Sequence, residues 1–240
     1  MPTESSSRKP EVSLRETEIR AMKKSAPERS TVPTRDDPTV IVIDDDPLAR
    51  GALSSLFRSV GLSVRTFASA TELLEHPLPD APSCLVLDVR LPRLSGFDLQ
   101  TELGRLEVNI PIIFITGHGD IPMSVKAMKA GAVDFLTKPF RDQEMLDAVT
   151  RALERDVKRR KEEQSNLDVR ARFESLTPRE RQIMALVTAG LMNKEVAHRI
   201  GISEMTVKIH RGHVMRKMAT KSLADLVLIA ENLGIRGQEN

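Results

Sequence analysis

The chain contains no tryptophan, no tyrosine and a single cysteine, Cys84. Without Trp or Tyr it lacks the usual stacking platforms for single-stranded nucleic acid, so any nucleic-acid partner is expected to be duplex DNA. One cysteine excludes an internal disulfide and a cysteine-based zinc cluster, and its place inside an apolar run marks it as a small core residue in a reducing compartment. Long apolar runs are also missing. Nothing approaches the roughly 20 residues of a membrane span, and the charged N-terminus has no apolar signal core, so a cytoplasmic protein without membrane association is expected. Net charge is small too, at +2 over 240 residues.

That small net charge hides an uneven distribution. Residues 39–150 hold 10 basic and 15 acidic groups, a net of −5, whereas residues 173–240 hold 10 basic and 7 acidic groups, a net of +3. An acidic middle and a basic end suggest separate partners, the basic part meeting a polyanion. Residues 1–38 are rich in Ser, Pro and alternating charge and read as disordered. A short helix through Leu14–Lys24 is the one element they offer.

From Thr39 the chain alternates strand and helix signals. Strands are expected at Val40–Ile43, Ser63–Phe67, Cys84–Leu87, Ile112–Ile115 and Val133–Leu136. Helices are expected at Pro47–Ser59, Ala70–Glu75, Gly96–Leu106, Pro122–Ala130 and Asp142–Lys161. Such alternation predicts a five-stranded, doubly wound parallel α/β sheet covered by helices on both faces. Four of the apolar runs end in polar groups: Asp44, Asp45 and Asp46 after the first, Asp88 after the third, Thr116 after the fourth and Lys138 after the fifth. In open α/β sheets ligands bind beyond the carboxyl ends of the strands, so these residues should meet in one pocket.

The pocket's chemistry follows from its charges. Carboxylates about 4 Å apart repel by roughly 4 kcal/mol at an effective dielectric of 20, so Asp44, Asp45 and Asp88 invite a cation. Hard oxygen ligands favour Mg2+, which takes one or two carboxylates plus waters and a phosphate. Lys138 and Thr116 opposite that cluster suit a phosphoryl group on Asp88, because a carboxylate can act as a nucleophile and form an aspartyl phosphate. The alternative for Lys138 is an ion pair with an aspartate. Asp46, which precedes Pro47, reads as a helix N-cap rather than a ligand.

Asp44–Asp45, Asp88, Thr116 and Lys138–Pro139 together resemble the signature of bacterial response-regulator receiver domains, a flavodoxin-like fold. The resemblance implies that Asp88 is the phosphoacceptor and that Asp45, Asp88 and the backbone carbonyl of Arg90 bind Mg2+, with Asp44 helping through water or a further contact. It implies a switch made by Thr116 and Phe135, and roles for His118 and Arg90 in phosphoryl lifetime. It also implies phosphorylation by a cognate sensor histidine kinase, and a homodimer formed on phosphorylation through the fourth helix, fifth strand and fifth helix. Apart from its own phosphorylation from a phosphodonor and its autodephosphorylation, no enzyme activity is expected. A phosphohydrolase of the haloacid dehalogenase type would need an acid two residues after Asp88, where Arg90 stands.

Residues 155–172 carry charges at nearly every other position and read as a helix leaving the 39–154 domain and fading into a solvated linker. Residues 173–240 read as four short helices. Thr177 and Glu180 form a capping box with Pro178 at the first helical position, and Gly190 stops that helix before Asn193 caps the next. Gly201 makes a turn, Ser203 caps a third helix through Met218, and Ser222 with Asp225 starts a fourth. Two short helices around a glycine turn, the second of them basic, make a helix-turn-helix. In its second helix Val207, Val214 and Met218 share an apolar stripe, with Lys208, Arg211 and Met215 on the opposite face.

The stretch from LTPRERQIM through GISEMTVKIHRGHVMRKM to KSLADLV resembles the LuxR-type DNA-binding domain, and joined to a receiver it resembles the FixJ branch of the NarL/FixJ response regulators. The resemblance implies that Lys208 and Ile209 face base edges of promoter DNA, that Thr206, Lys194 and Lys217 lie near phosphates, and that Arg211 belongs to the same basic face. RNA polymerase is a further implied partner. Gly212 stands where some relatives place a basic reader. An autoinducer-binding regulator shares this C-terminal domain but would need a small-molecule pocket where the chain has its acidic strand ends.

Overall fold

The computed structural model describes residues 37–118 and 121–235. The expected disorder of 1–38, the Leu14–Lys24 helix included, lies outside the described residues except for Asp37 and Pro38.

Five strands form one sheet: β1 (Thr39–Ile43), β2 (Ser63–Phe67), β3 (Ser83–Asp88), β4 (Ile112–Thr116) and β5 (Asp134–Thr137), in the order β2-β1-β3-β4-β5. Every pairing is parallel. Five helices accompany them: α1 (Pro47–Ser59), α2 (Ala70–Leu74), α3 (Gly96–Arg105), α4 (Ile121–Lys129) and α5 (Asp142–Glu174). β1, β3 and β4 are buried along their whole length, because helices cover both faces and side chains pointing either way must be apolar. Alternate residues therefore split between two cores. Ile41, Ile43, Leu85, Leu87 and Phe114 pack on one face, and Val40, Val42, Cys84, Val86, Ile113 and Ile115 on the other. Cys84 lies wholly inside the second core, and burial first, with the charge of Asp156 second, pushes its thiol up to about 12.

The strand order puts a reversal of direction beside β1 and β3, the position where open sheets of this kind leave a crevice at the carboxyl ends. Register lines those ends up: Ile43 pairs with Leu87, Asp88 with Ile115, and Thr116 with Thr137. Local chemistry supports the layout. Asp46 caps α1 by accepting from the Leu48 N–H at 2.9 Å, with Pro47 opening the helix.

Helix α5 departs from expectation. Instead of fading near Lys161 it continues unbroken to Glu174, 33 residues in all. Good helix formers fill the charged stretch, and side chains one turn apart pair along it: Arg159 with Glu163 at 2.7 Å and Gln164 with Asp168 at 2.8 Å. Its first half is sunk in the sheet's second core through Met145, Ala148, Val149, Ala152 and Leu153. Near its far end Val169 and Phe173 pack on a third core. Between these, Asp156 is fully buried, where it accepts from the Ser83 N–H at 2.9 Å and from the guanidinium groups of Arg159 and Arg160.

The third core belongs to four helices, α6 (Pro178–Thr188), α7 (Asn193–Ile200), α8 (Glu204–Lys217) and α9 (Leu223–Asn232). Capping boxes start α6 at Thr177 and α9 at Ser222, and Ser203 caps α8. Gly201, at φ 66°, makes the left-handed turn between α7 and α8 that residues with a Cβ rarely adopt. Two details differ from the sequence reading. Asn193 is already inside α7, whose N-cap is Met192. Met215 is half-buried and packs on the third core instead of facing out. At eight residues past Val207 it falls close to the buried stripe, so a long apolar side chain folds inward.

Candidate functional site

Asp44 and Asp88 leave β1 and β3 side by side, and Lys138 reaches over from the end of β5. Its Nζ donates to Asp44 Oδ2 at 2.6 Å and to Asp88 Oδ2 at 2.8 Å. Asp44 is fully buried and Asp88 nearly so, whereas Asp45 is exposed. Even so, one carboxylate oxygen from each of Asp44, Asp45 and Asp88 lies within 4.8 Å of the others. Three acids against one lysine leave this pocket with surplus negative charge. Burial alone lowers the Lys138 pKa, but hydrogen bonds to Asp44 and Asp88 and their charges outweigh it and hold the ammonium above its usual value.

Backbone groups fix the acids. The Asp46 N–H donates to Asp44 Oδ1 at 2.9 Å, and the Arg90 N–H donates to Asp88 Oδ1 at 2.8 Å. Asp88 therefore has both oxygens aimed, one by its own turn and one by Lys138. The turn also depends on Gly96, because a Cβ there would stand 2.6 Å from the Asp88 carbonyl oxygen. Thr116 is fully buried at the end of β4; its Oγ accepts from the His118 N–H at 3.3 Å, and its carbonyl accepts from the Lys138 N–H at 2.7 Å. Phe135 is half-buried against the first core.

The strand ends thus bring Asp44, Asp45, Asp88 and Lys138 together, with Thr116 tied to Lys138 through the backbone. Asp46 stands apart as the cap of α1. The sequence reading missed Arg50, whose Nη1 donates to the carbonyls of Asp44 at 2.6 Å and Asp45 at 3.0 Å. An arginine in the first turn of a helix that follows an acidic run was the available signal. As for a metal, three carboxylates offering hard oxygens within 4.8 Å of one another form a donor set that fits Mg2+.

The basic helix of the C-terminal half is α8. Lys208 and Ile209 are exposed near its N-terminus, and Lys194 is exposed on α7. Thr206 is half-buried, its hydroxyl 2.8 Å from that of Ser203. Arg211 is half-buried and donates to Asn193 Oδ1 at 3.1 Å, which ties α8 to α7. Lys217 is spoken for as well. Its Nζ donates to Glu180 Oε2 at 2.7 Å and to the Ser175 carbonyl at 3.2 Å. Glu180 is buried, and the Lys217 hydrogen bond first, with the Thr177 N–H second, lowers its carboxyl to about 2. Sequence reading found Glu180 only as half of a capping box and placed Lys217 at a phosphate. A contact between residues 37 apart leaves no periodic trace.

Among the described residues no helix is long and apolar enough to cross a membrane. Residues 40–150 match the response regulator receiver domain family, and residues 174–230 match the family of bacterial regulatory proteins of luxR type. The chain is 62% identical to nodulation protein W of Bradyrhizobium diazoefficiens over 196 residues, covering 82% of this chain and 86% of that protein. It is 44% identical to transcriptional regulatory protein FixJ of Rhizobium meliloti over 194 residues, covering 81% of this chain and 95% of that protein. Among solved structures, response regulator StyR aligns with a TM-score of 0.74 at 48% identity, covering 82% of this chain and 99% of that one.

Proposed function

The chain belongs to the two-component response regulators of the NarL/FixJ class, transcription regulators with a receiver and a LuxR-type DNA-binding domain, and from that premise we propose that phosphorylation of Asp88 controls promoter binding. The observation that carries this reading is the Lys138 ammonium held between Asp44 and Asp88 at 2.6 and 2.8 Å. Asp88 is the nucleophile, and a cognate histidine kinase is the phosphoryl source. Its Oδ1 is held by the Arg90 N–H, so Oδ2, shared with Lys138, is the oxygen positioned to attack. Lys138 then stabilises the charge of the transferred group, the kind of fixed electrostatic assistance that carries most of phosphoryl transfer.

Asp45, Asp88 and the Arg90 carbonyl would hold Mg2+, with Asp44 in support. The ion neutralises the phosphoryl oxygens when bound. Asp44 carries a second task in this chain, anchoring Lys138. The Thr116 hydroxyl takes part in the switch by moving to the phosphoryl oxygens, and Phe135, half-buried on β5, turns inward with it. A phosphoryl group adds about −1.5 to −2 charges, and it shifts the population only through contacts made in one state, here those of Thr116 and Lys138. Dimerisation through α4, β5 and α5 then pairs two α8 helices for successive major grooves, roughly 34 Å apart.

On the DNA side Lys208 and Ile209 read base edges, while Thr206 and Lys194 approach phosphates. Arg211 and Lys217 are committed to Asn193 and Glu180, so their role is to hold α8 in place. Regulation in a cytoplasmic setting, with RNA polymerase as the final partner, completes the reading. The domain extents that go with it are 39–154 for the receiver, 155–172 for the linker and 173–240 for the DNA-binding part.

The direct test is incubation with acetyl phosphate and Mg2+, followed by intact-mass measurement. One phosphoryl group should appear, and none with Asp88→Asn or with EDTA. Equal labelling of Asp88→Asn would overturn the assignment.

A further inference from the structure

We propose a second metal site, outside the acidic pocket, in which Glu180, His210 and His213 bind a borderline dication such as Zn2+ and clamp α8 to α6. One ligating atom from each of the three lies within 4.8 Å of the others. His210 and His213 are three residues apart on α8, the spacing that places two side chains next to each other on one helix face. Their ring centroids are 6.2 Å apart with the planes nearly perpendicular, at 83°. Glu180 comes from the first turn of α6.

Two features of the cluster point to a ligand rather than to internal pairing. The Nδ1 of His210 is buried and has no hydrogen-bond partner. A buried ring nitrogen left unpaired is destabilising, so this imidazole has unused donor capacity inside the cluster. In Glu180 the two oxygens are used unequally. Oε2 accepts from Lys217 and from the Thr177 N–H, while Oε1 faces His213 Nδ1 at 3.8 Å, too far for a hydrogen bond. Oε1 can therefore take an ion while Lys217 stays where it is.

The donor set selects the metal. Two imidazoles and one carboxylate suit Zn2+ and its neighbours, whereas Mg2+ and Ca2+ prefer oxygen alone. Tetrahedral zinc needs ligand atoms about 3.3 Å apart, so the two histidine side chains would close in on the ion from the present spacing. His210 directly follows Lys208 and Ile209, so an ion here fixes the segment of α8 that carries the exposed basic face.

The test uses the untagged full chain carrying Asp45→Asn, which weakens the acidic pocket as a competing site. Zn2+ is titrated against a chromophoric chelator, with Co2+ as a spectroscopic substitute. One equivalent of Zn2+ should bind, raise the melting temperature and give a Co2+ visible spectrum typical of tetrahedral nitrogen and oxygen ligation. His213→Gln, at a partly exposed position, should weaken binding about tenfold or more. His210→Gln should do the same while the far-ultraviolet dichroism stays helical. The site is excluded if the parent binds no Zn2+ at micromolar concentrations, or if His213→Gln binds as tightly as the parent.

Discussion

In each half of the molecule a lysine approaches a buried carboxylate at nearly the same distance, Lys138 to Asp44 at 2.6 Å and Lys217 to Glu180 at 2.7 Å. Their surroundings differ. Lys138 serves two carboxylates with a third within reach, so its pocket keeps uncompensated negative charge and can take up a cation and a phosphoryl group together. Lys217 balances one carboxylate that also caps its own helix, so the pair keeps no surplus charge for a phosphoryl site, and an ion at its free oxygen would depend on His210 and His213 beside it. A short ion pair by itself marks nothing; the residual charge around it separates a reactive site from a fastener.

The largest effect should come from removing the lysine whose pocket carries surplus charge. Lys138→Met is expected to slow phosphorylation by acetyl phosphate by about 100-fold or more, or roughly 3 kcal/mol of transition-state stabilisation, as read from the rate of mass increase. If Lys217→Met slowed it as much, the contrast would collapse. That second variant should instead phosphorylate normally and lose about 2 kcal/mol of stability in thermal unfolding, because Glu180 is left buried without its cation. Its DNA binding should keep the same salt slope. A drop of about one unit in that slope would identify Lys217 as a phosphate contact after all.

A smaller, local effect is expected at the exposed face of α8. Lys208→Ala should cost about 1–2 kcal/mol against one operator base pair and relax preference there, measured on a panel of operator variants. A uniform loss across the panel would make it a phosphate contact. Most gradual should be the response to acid. The Glu180 carboxyl sits near 2, below its usual range, so its pair with Lys217 adds full stability above that range and loses it as pH falls toward 2. The melting-temperature gap between parent and Glu180→Gln should hold steady above about pH 5 and close below it.

The same contrast explains what could be read in the sequence. Strand ends are legible because a buried apolar run must stop somewhere, and in a parallel sheet the stops line up; hence Asp44, Asp88, Thr116 and Lys138 were placed together by local pattern alone. Caps at Asp46, Thr177, Ser203 and Ser222 are equally local. The Glu180–Lys217 pair was not legible, since both residues had adequate local explanations and only tertiary packing joins them. Asn193 looked like a cap for the same reason, yet its side chain is spent on Arg211. The full length of α5 was hidden because an apolar stripe is absent along its charged stretch, and helix propensity with one-turn pairing is a weaker signal than burial.

That helix has a further consequence. At about 1.5 Å and 100° per residue, its 33 residues form a rod of roughly 50 Å, gripped by one core at Met145–Leu153 and by another at Val169 and Phe173. The exposed residues between the grips are free to vary in identity, but their number sets an angular phase. One residue inserted there would turn the downstream pair by about 100°, whereas seven would restore the facing to within about 20°. The stretch that looks most permissive to substitution is thus the least permissive to a change of count.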